Sequence, residues 1–331
     1  MKYFTLLVLV VVGLIWGIGY KANLDIFNGF KTAILTLTKN DLVFIKPRGG
    51  VENPLRPSHV IWRGSVESES LKEASGLAQS RRSSSIFFAI NDSGNPPQLF
   101  ALRRDGKHLG SWDIDYGSGH DFEDLSAFSL MGEAFLLIAD TGDNLNWRKM
   151  QSLLILKEPS LETDGQRLEV VRRLRFSFRD GYRDIESVAV DETGKAAYLV
   201  SKKRVPPELF RVSLEHEGHQ TLQAIGSIEN IPAPTKLDLG RRGHFGIYSS
   251  VPTALDFSNG SAIILTYKEL YLFEKQVGEN WTKVFAGVPH KIPLPQMYGL
   301  ESATFAGSGK ILLTGEREYG RRASEIFEVS Y

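Results

Sequence analysis

Two stretches hold the residues best suited to chemistry, Asp121-Phe122-Glu123-Asp124-Leu125 and Ala139-Asp140-Thr141-Gly142-Asp143-Asn144. Between them lie two strand-like runs, Leu125 to Leu130 and Ala134 to Ala139, with carboxylates at the start of the first and the end of the second. If the runs form an antiparallel hairpin, those two points are neighbours. Several like charges held together disfavour one another's ionised forms, so a compensating cation or cationic side chain is implied. Asp121, Glu123, Asp140, Asp143 and Asn144 are the expected metal ligands. They are hard oxygen donors of the kind that take Ca²⁺ first and Mg²⁺ second. Asp-Thr-Gly-Asp-Asn is equally a turn sequence, in which Asp and Asn bond nearby backbone amides.

The strand-like runs around these groups belong to a repeat. Ser75-Gly76-Leu77-Ala78 aligns with Glu123-Asp124-Leu125-Ser126, Glu186-Ser187-Val188-Ala189, Thr253-Ala254-Leu255-Asp256 and Glu301-Ser302-Ala303-Thr304. Each is followed by a second apolar run ending at Asp92, Asp140, Lys202, Tyr267 or Glu316, and then by a third run. Fourth strands are expected at Leu109–Ile114, Val171–Phe178, Leu222–Ile228 and Trp281–Gly287. The fifth repeat lacks one before Tyr331, while an unassigned run, His59 to Val66, precedes the first. Short β-type runs punctuated by Gly, Pro, Asp and Asn give an all-β protein. The repeat predicts a five-bladed β-propeller closed by an N-terminal strand, since an open ring would leave sheet edges exposed. Six blades and a β-sandwich are the alternatives. Glu229 to Ser250 reads as a long loop over one face.

In a propeller, the loop entering the first strand of each blade and the loop leaving the second open on one face. Both polar series then meet there. Glu186, Glu301 and Lys202 are the candidate acid–base set, because a carboxylate beside an ammonium in a partly desolvated channel acquires a perturbed proton affinity; a structural ion-pair ring is the alternative. Arg148, Arg183, Tyr267 and Glu316 are the candidate substrate-binding groups.

Composition narrows the classes. Lys+Arg and Asp+Glu total 39 each in 331 residues, so no net field favours nucleic acid. Cysteine is absent, which excludes disulfides and thiolate metal sites. The seven histidines are scattered, no nucleophile elbow is present, and Gly307-Ser308-Gly309-Lys310 lacks the Ser/Thr and helix of a phosphate loop. Met1-Lys2-Tyr3 leads into an apolar run from Phe4 to Tyr20. That run predicts a signal anchor over residues 1–21, with a cleaved signal as the alternative, then a linker over 22–58 and the propeller over 59–331. The body is then expected outside the cytoplasmic membrane, single-pass and periplasmic or extracellular, or secreted if the signal is cleaved.

Glu73-Ala74-Ser75-Gly76-Leu77-Ala78 with Asn91-Asp92-Ser93-Gly94, Asp121 to Leu125, Asp140 to Asn144, Lys157-Glu158-Pro159, Arg183 to Asp191 and Gly299-Leu300-Glu301-Ser302 resemble exported bacterial β-propellers. The resemblance touches the esterase-like phytase propellers and the membrane-anchored family known as SdiA-regulated. It implies a propeller with a polar, often calcium-associated mouth. Two functions follow as expectations: metal-assisted hydrolysis of a phosphoester or carboxylic ester, or non-catalytic binding of a sugar, small anion or protein partner at the cell envelope. The chain departs from the common form at Phe122, where Trp is frequent, and in the long Glu229 to Ser250 segment.

Overall fold

A computed structural model describes residues 42–45, 52–241, 246–317 and 323–331. The expected signal anchor and most of the linker lie outside these residues. Among the described residues no helix is long and apolar enough to cross a membrane.

Five antiparallel sheets form the body. From the innermost strand outwards, blade 1 is Ala74–Gln79, Ile86–Asn91, Gln98–Arg103 and His108–Ile114; blade 2 is Phe122–Leu130, Glu133–Asp140, Gln151–Lys157 and Arg172–Phe178. Blade 3 is Ile185–Asp191, Ala196–Ser201, Glu208–Ser213 and Gly226–Ser227, and blade 4 is Pro252–Ser258, Ser261–Thr266, Glu269–Glu274 and His290–Pro293. Blade 5 takes three strands from the end of the chain, Leu300–Phe305, Lys310–Gly315 and Glu325–Ser330. Its outer strand comes from near the beginning, His59–Ser65, antiparallel to Glu325–Ser330. The innermost strands pack in the cyclic order 1, 2, 3, 4, 5, 1, so the ring is a closed five-bladed propeller.

Each interface between neighbouring blades is one apolar cluster. Phe88, Trp112, Phe122 and Leu136 lie between blades 1 and 2; Phe128, Leu174, Val188 and Phe210 between 2 and 3; Tyr198, Leu255, Phe257 and Trp281 between 3 and 4. The remaining two interfaces are built likewise, around Leu300 and Leu313 and around Leu77 and Phe100. The near-continuous apolar runs of the second and third strands follow from this, because both faces of these sheets are covered. Gly76 marks a place where the innermost strands of blades 1 and 2 approach closely: a Cβ there would lie 2.7 Å from the Leu125 nitrogen.

Two expected outer strands are corrected. Trp281–Gly287 is not a strand. Residues Trp281–Ala286 are a helix, capped by Asn280, whose side chain accepts the Lys283 N–H at 2.9 Å. Trp281, Val284 and Phe285 fall on one helical face and are buried, with Trp281 stacked on Phe257 at 4.2 Å between centroids. The true outer strand of blade 4 follows it at His290–Pro293. The single run Leu222–Ile228 is likewise divided. His219–Leu222 adds in parallel to the outer edge of blade 2, and Gly226–Ser227 pairs with blade 3, with exposed residues between them.

The chain ahead of the closing strand is also docked. Val43–Phe44 pairs in parallel with Arg204–Val205, and Leu55 bridges Lys291 beside the outer strand of blade 4.

Candidate metal centre

Every innermost strand breaks register once near its start. The extra residue is Ser75 in blade 1, Glu123 in blade 2, Glu186 in blade 3, Thr253 in blade 4 and Glu301 in blade 5. A bulge takes one residue out of the ladder and re-aims its side chain. All five residues are buried. The aligned polar series is therefore a ring of bulges around one opening.

The three carboxylates of the ring share that opening with other charged groups. Ligand oxygens of Asp92, Asp121 and Glu123 lie within 4.8 Å of one another, and so do those of Glu123, Asp184 and Glu186, so that Glu123 is common to both triads. Lys202 Nζ is 2.5 Å from Glu186 Oε1, and Lys203 Nζ is 3.0 Å from Asp184 Oδ2. The Lys202 ammonium also stands over the Tyr267 ring at 5.9 Å, and the Tyr267 hydroxyl donates to Glu301 Oε1 at 2.7 Å. Six carboxylates thus lie at one opening with the bonded ammonium groups of Lys202 and Lys203. Burial, then the charges of Glu186, Asp92 and Asp121, holds the Glu123 carboxyl well above its usual range. Burial works against the Lys202 ammonium, but Glu186, followed by Tyr267, Asp184 and Glu123, outweighs it and keeps Lys202 charged. Burial, then Glu301, pushes the Tyr267 hydroxyl well up.

Gly142 leaves the room this arrangement needs. A Cβ on residue 142 would overlap Oε1 of Glu123 and Oδ2 of Asp121. The Gly142 N–H instead approaches the Asp121 carbonyl at 3.2 Å, which folds the turn back over the start of the innermost strand.

The expected ligand set is divided by the structure. Asp121 and Glu123 stand in the cluster. Asp140 is bound by the protein itself, accepting from Tyr116 Oη (2.7 Å), from the Asp121 N–H (3.0 Å) and from Arg148 Nη2 (2.7 Å). Asp143 accepts the backbone N–H groups of Trp147 (2.8 Å) and Arg148 (3.1 Å), the turn arrangement that its sequence equally predicts. Asn144 offers its carbonyl and its side-chain oxygen to Lys203, at 2.9 and 3.2 Å. Asp92 and Asp184 stand in the cluster in their place. Their signal was present in the chain: Asp184-Ile185-Glu186 repeats the spacing of Asp121-Phe122-Glu123, and in extended chain residues i and i+2 point to one side.

The other candidates separate in the same way. Glu186, Lys202, Tyr267 and Glu301 lie together at the opening. Arg148 braces Asp140 and the Gly142 carbonyl. Arg183 is buried between Phe178 and Phe210 and held by Glu208 and Asp180 on the outer side of blade 3, apart from the acidic set. Glu316 closes the second strand of blade 5, where it bridges Glu73 of blade 1.

The donors fit a hard cation: carboxylate oxygens in two triads sharing one residue. Thiolate and imidazole donors take no part in either triad.

No family model matches the sequence, and no curated protein matches it. The resemblance to esterase-like phytase and SdiA-regulated propellers therefore rests on the motifs quoted above. The structure is similar to that of the PQQ-bound aldose sugar dehydrogenase from Streptomyces coelicolor, with a TM-score of 0.47 and 13% identity over 84% of this chain and 99% of that chain. It is also similar to Chaetomium thermophilum Raptor, with a TM-score of 0.39 and 11% identity over 77% of this chain and 20% of that chain. At these values neither likeness bears on the chemistry of the mouth.

Proposed function

We propose that this chain is a membrane-anchored, extracytoplasmic propeller that holds a divalent cation, Ca²⁺ in first place, at its axial mouth and binds a small envelope ligand there. The observation behind this reading is the pair of carboxylate triads that share Glu123, the ligand oxygens of each triad lying within 4.8 Å of one another. Buried like charges of this kind call for a counter-ion. Asp92, Asp121, Glu123, Asp184 and Glu186 would hold the cation. Its chemical contribution when bound is to neutralise these groups and to present positive charge to a ligand oxygen. Lys202 and Tyr267 line the mouth beside it and orient Glu186 and Glu301. The apolar run from Phe4 to Tyr20 supports the anchor and the exported location.

Binding without turnover is favoured, because the two expected bases are engaged: Glu186 with Lys202, and Glu301 with the Tyr267 hydroxyl. Metal-assisted hydrolysis of a phosphoester or carboxylic ester is the second reading. What favours it is Glu123, whose proton affinity is raised in the manner of an acid–base group. Melting of chelator-treated protein with and without millimolar Ca²⁺ tests the primary reading. A site filled to 100 times its dissociation constant adds about 2.7 kcal/mol to the folded state. Wild type should gain stability and Glu123→Gln should not; equal curves for wild type with and without cation would refute the site. Release of p-nitrophenol from its phosphate or acetate by wild type, lost in Glu186→Gln, would select the second reading.

A further inference from the structure

We propose that the rim of the mouth across blades 2 to 4 is a membrane-contact surface, seated in the headgroup layer of an anionic bilayer. It extends the anchoring reading given above and rests on it in one respect, the tether. Large apolar side chains stand exposed along this rim. Leu145 (48%) and Trp147 (69%) lie on the loop leaving the second strand of blade 2. Val43 (43%) and Ile45 (45%) flank or lie in the short strand paired to blade 3. Leu237 (68%) and Leu239 (54%) lie in the helix Lys236–Leu239 on the loop entering blade 4.

The three groups form one arc. Asn144, next to Leu145, accepts from Lys203, whose carbonyl in turn accepts the Val43 N–H at 2.8 Å. Leu42 packs with Tyr248, Val251 and Tyr267 on the blade 4 side, and Lys268 in blade 4 holds Asp238 of the Leu237 helix at 3.0 Å. On the opposite face Met131, with Leu130 beside it on the hairpin tip of blade 2, and Val277, on the turn before the helix Trp281–Ala286, are exposed at two separate places. Single exposed apolar residues are ordinary, whereas an arc of them on one face marks a contact surface.

Two features choose a bilayer as the occupant. Exposed Lys149, Lys236 and Arg241 are interleaved with the apolar groups, while the acidic member of the same helix, Asp238, is buried and held by Thr235 and Lys268. Trp and Leu with Lys and Arg on one surface are the composition of segments that lie in the interface. The described chain also begins on this face, at Leu42, and 20 residues separate it from Lys21, the end of the apolar run. Such a segment reaches at most about 70 Å, which keeps this face within reach of the membrane. The mouth loops of blade 1, with Ser93, Gly94, Asn95, Gly117, Ser118 and Gly119, are small and polar. That side would stay open to solvent.

The natural absence of cysteine permits a direct test on the full chain. Single variants Trp147→Cys and Leu237→Cys on the rim, and Val277→Cys on the far face, are labelled with an environment-sensitive dye. They are reconstituted into vesicles of phosphatidylcholine with a third phosphatidylglycerol, with and without brominated acyl chains. Quenching at least twofold stronger at 147 and 237 than at 277, weakening with salt, is expected. Equal quenching at the three positions would overturn the proposal. Flotation with the vesicles reads the anchor separately: a chain that does not float disproves the anchor. The rim is then read from vesicles added to the soluble chain at low salt, where the same contrast supports it and its absence refutes it.

Discussion

Blades 1 and 4 place a hydroxyl at the bulge of the innermost strand, whereas blades 2, 3 and 5 place a carboxylate there. The hydroxyls are used up locally. Ser75 Oγ donates to the Phe122 carbonyl of blade 2 at 2.9 Å, and Thr253 Oγ1 to the Leu300 carbonyl of blade 5 at 3.1 Å. Each accepting carbonyl belongs to the residue just before the neighbour's bulge. Ser302 continues the pattern from blade 5 to Ala74 of blade 1, as does Thr141 from blade 2 to Ile185 of blade 3. The carboxylates of blades 2, 3 and 5 lie instead among charged and polar side chains. They turn to the axis and recruit Lys202, Tyr267 and each other. One backbone device thus closes the ring where it bears a hydroxyl and builds a charged site where it bears an acid.

The same contrast holds one residue further on. Asp124 follows the bulge of blade 2 and is buried, yet its carboxylate accepts backbone N–H groups from Leu125, Val188 and Leu255, joining three blades. It is a tie, and the acids beside it are a site. Asp124 is filled by three backbone donors, whereas the Asp184 carboxylate accepts one, the Asp143 N–H at 2.8 Å, and also faces Lys203.

The largest effect comes from removing the ammonium that pairs with the acidic bulge of blade 3. Lys202→Met leaves Glu186 buried without its partner, which typically costs about 3–5 kcal/mol. Urea unfolding of the chelator-treated variant should show that loss, and a change below about 1 kcal/mol would mean that the pair does not neutralise the site. The next effect is on pH dependence. Glu123 holds its proton above its ordinary value, so the folded form binds that proton more tightly than the unfolded chain does. The resulting stability is complete below the ordinary carboxyl range and is lost as pH rises through the folded value. Cation-free protein should therefore melt at progressively lower temperature from about pH 4.3 upward, the starting point being the ordinary Glu value. Ca²⁺ should flatten that slope, and Glu123→Gln should remove Glu123's part of it. A slope of the opposite sign in wild type, attributable to Glu123 by its loss in the Gln variant, would reverse the assignment. The smallest effect belongs to the hydroxyl blades. Thr253→Val removes one hydrogen bond, about 0.5–1.5 kcal/mol, and should leave the response to cation unchanged. An altered cation response would place Thr253 in the site with the acids.

Much of this was legible in the chain because the repeat and the fold share a cause. Polar residues interrupt apolar runs at the same place in every blade, and the aligned series Ser75, Glu123, Glu186, Thr253 and Glu301 turned out to be the five bulges. The helix Trp281–Ala286 was hidden because Trp-Thr-Lys-Val-Phe suits a strand as readily, and the deciding features are the Asn280 cap and the aromatic pocket around Phe257. The fates of Asp140 and Asp143 were hidden for a related reason. Asp-Thr-Gly-Asp-Asn fits a metal loop and a turn alike, and only the positions of Tyr116, Arg148 and the Trp147 amide show which oxygens are already taken.

Anomalous scattering from a crystal grown with Tb³⁺ or Mn²⁺ in place of Ca²⁺ shows whether the carboxylates around Glu123 hold a cation. A peak is expected within about 2.6 Å of a Glu123 oxygen, a Ca²⁺-like coordination distance, with Asp121 or Asp184 as a second ligand. Crystals that show anomalous peaks only on outer loops, with Glu123 bonded solely to protein, would contradict a cation held there.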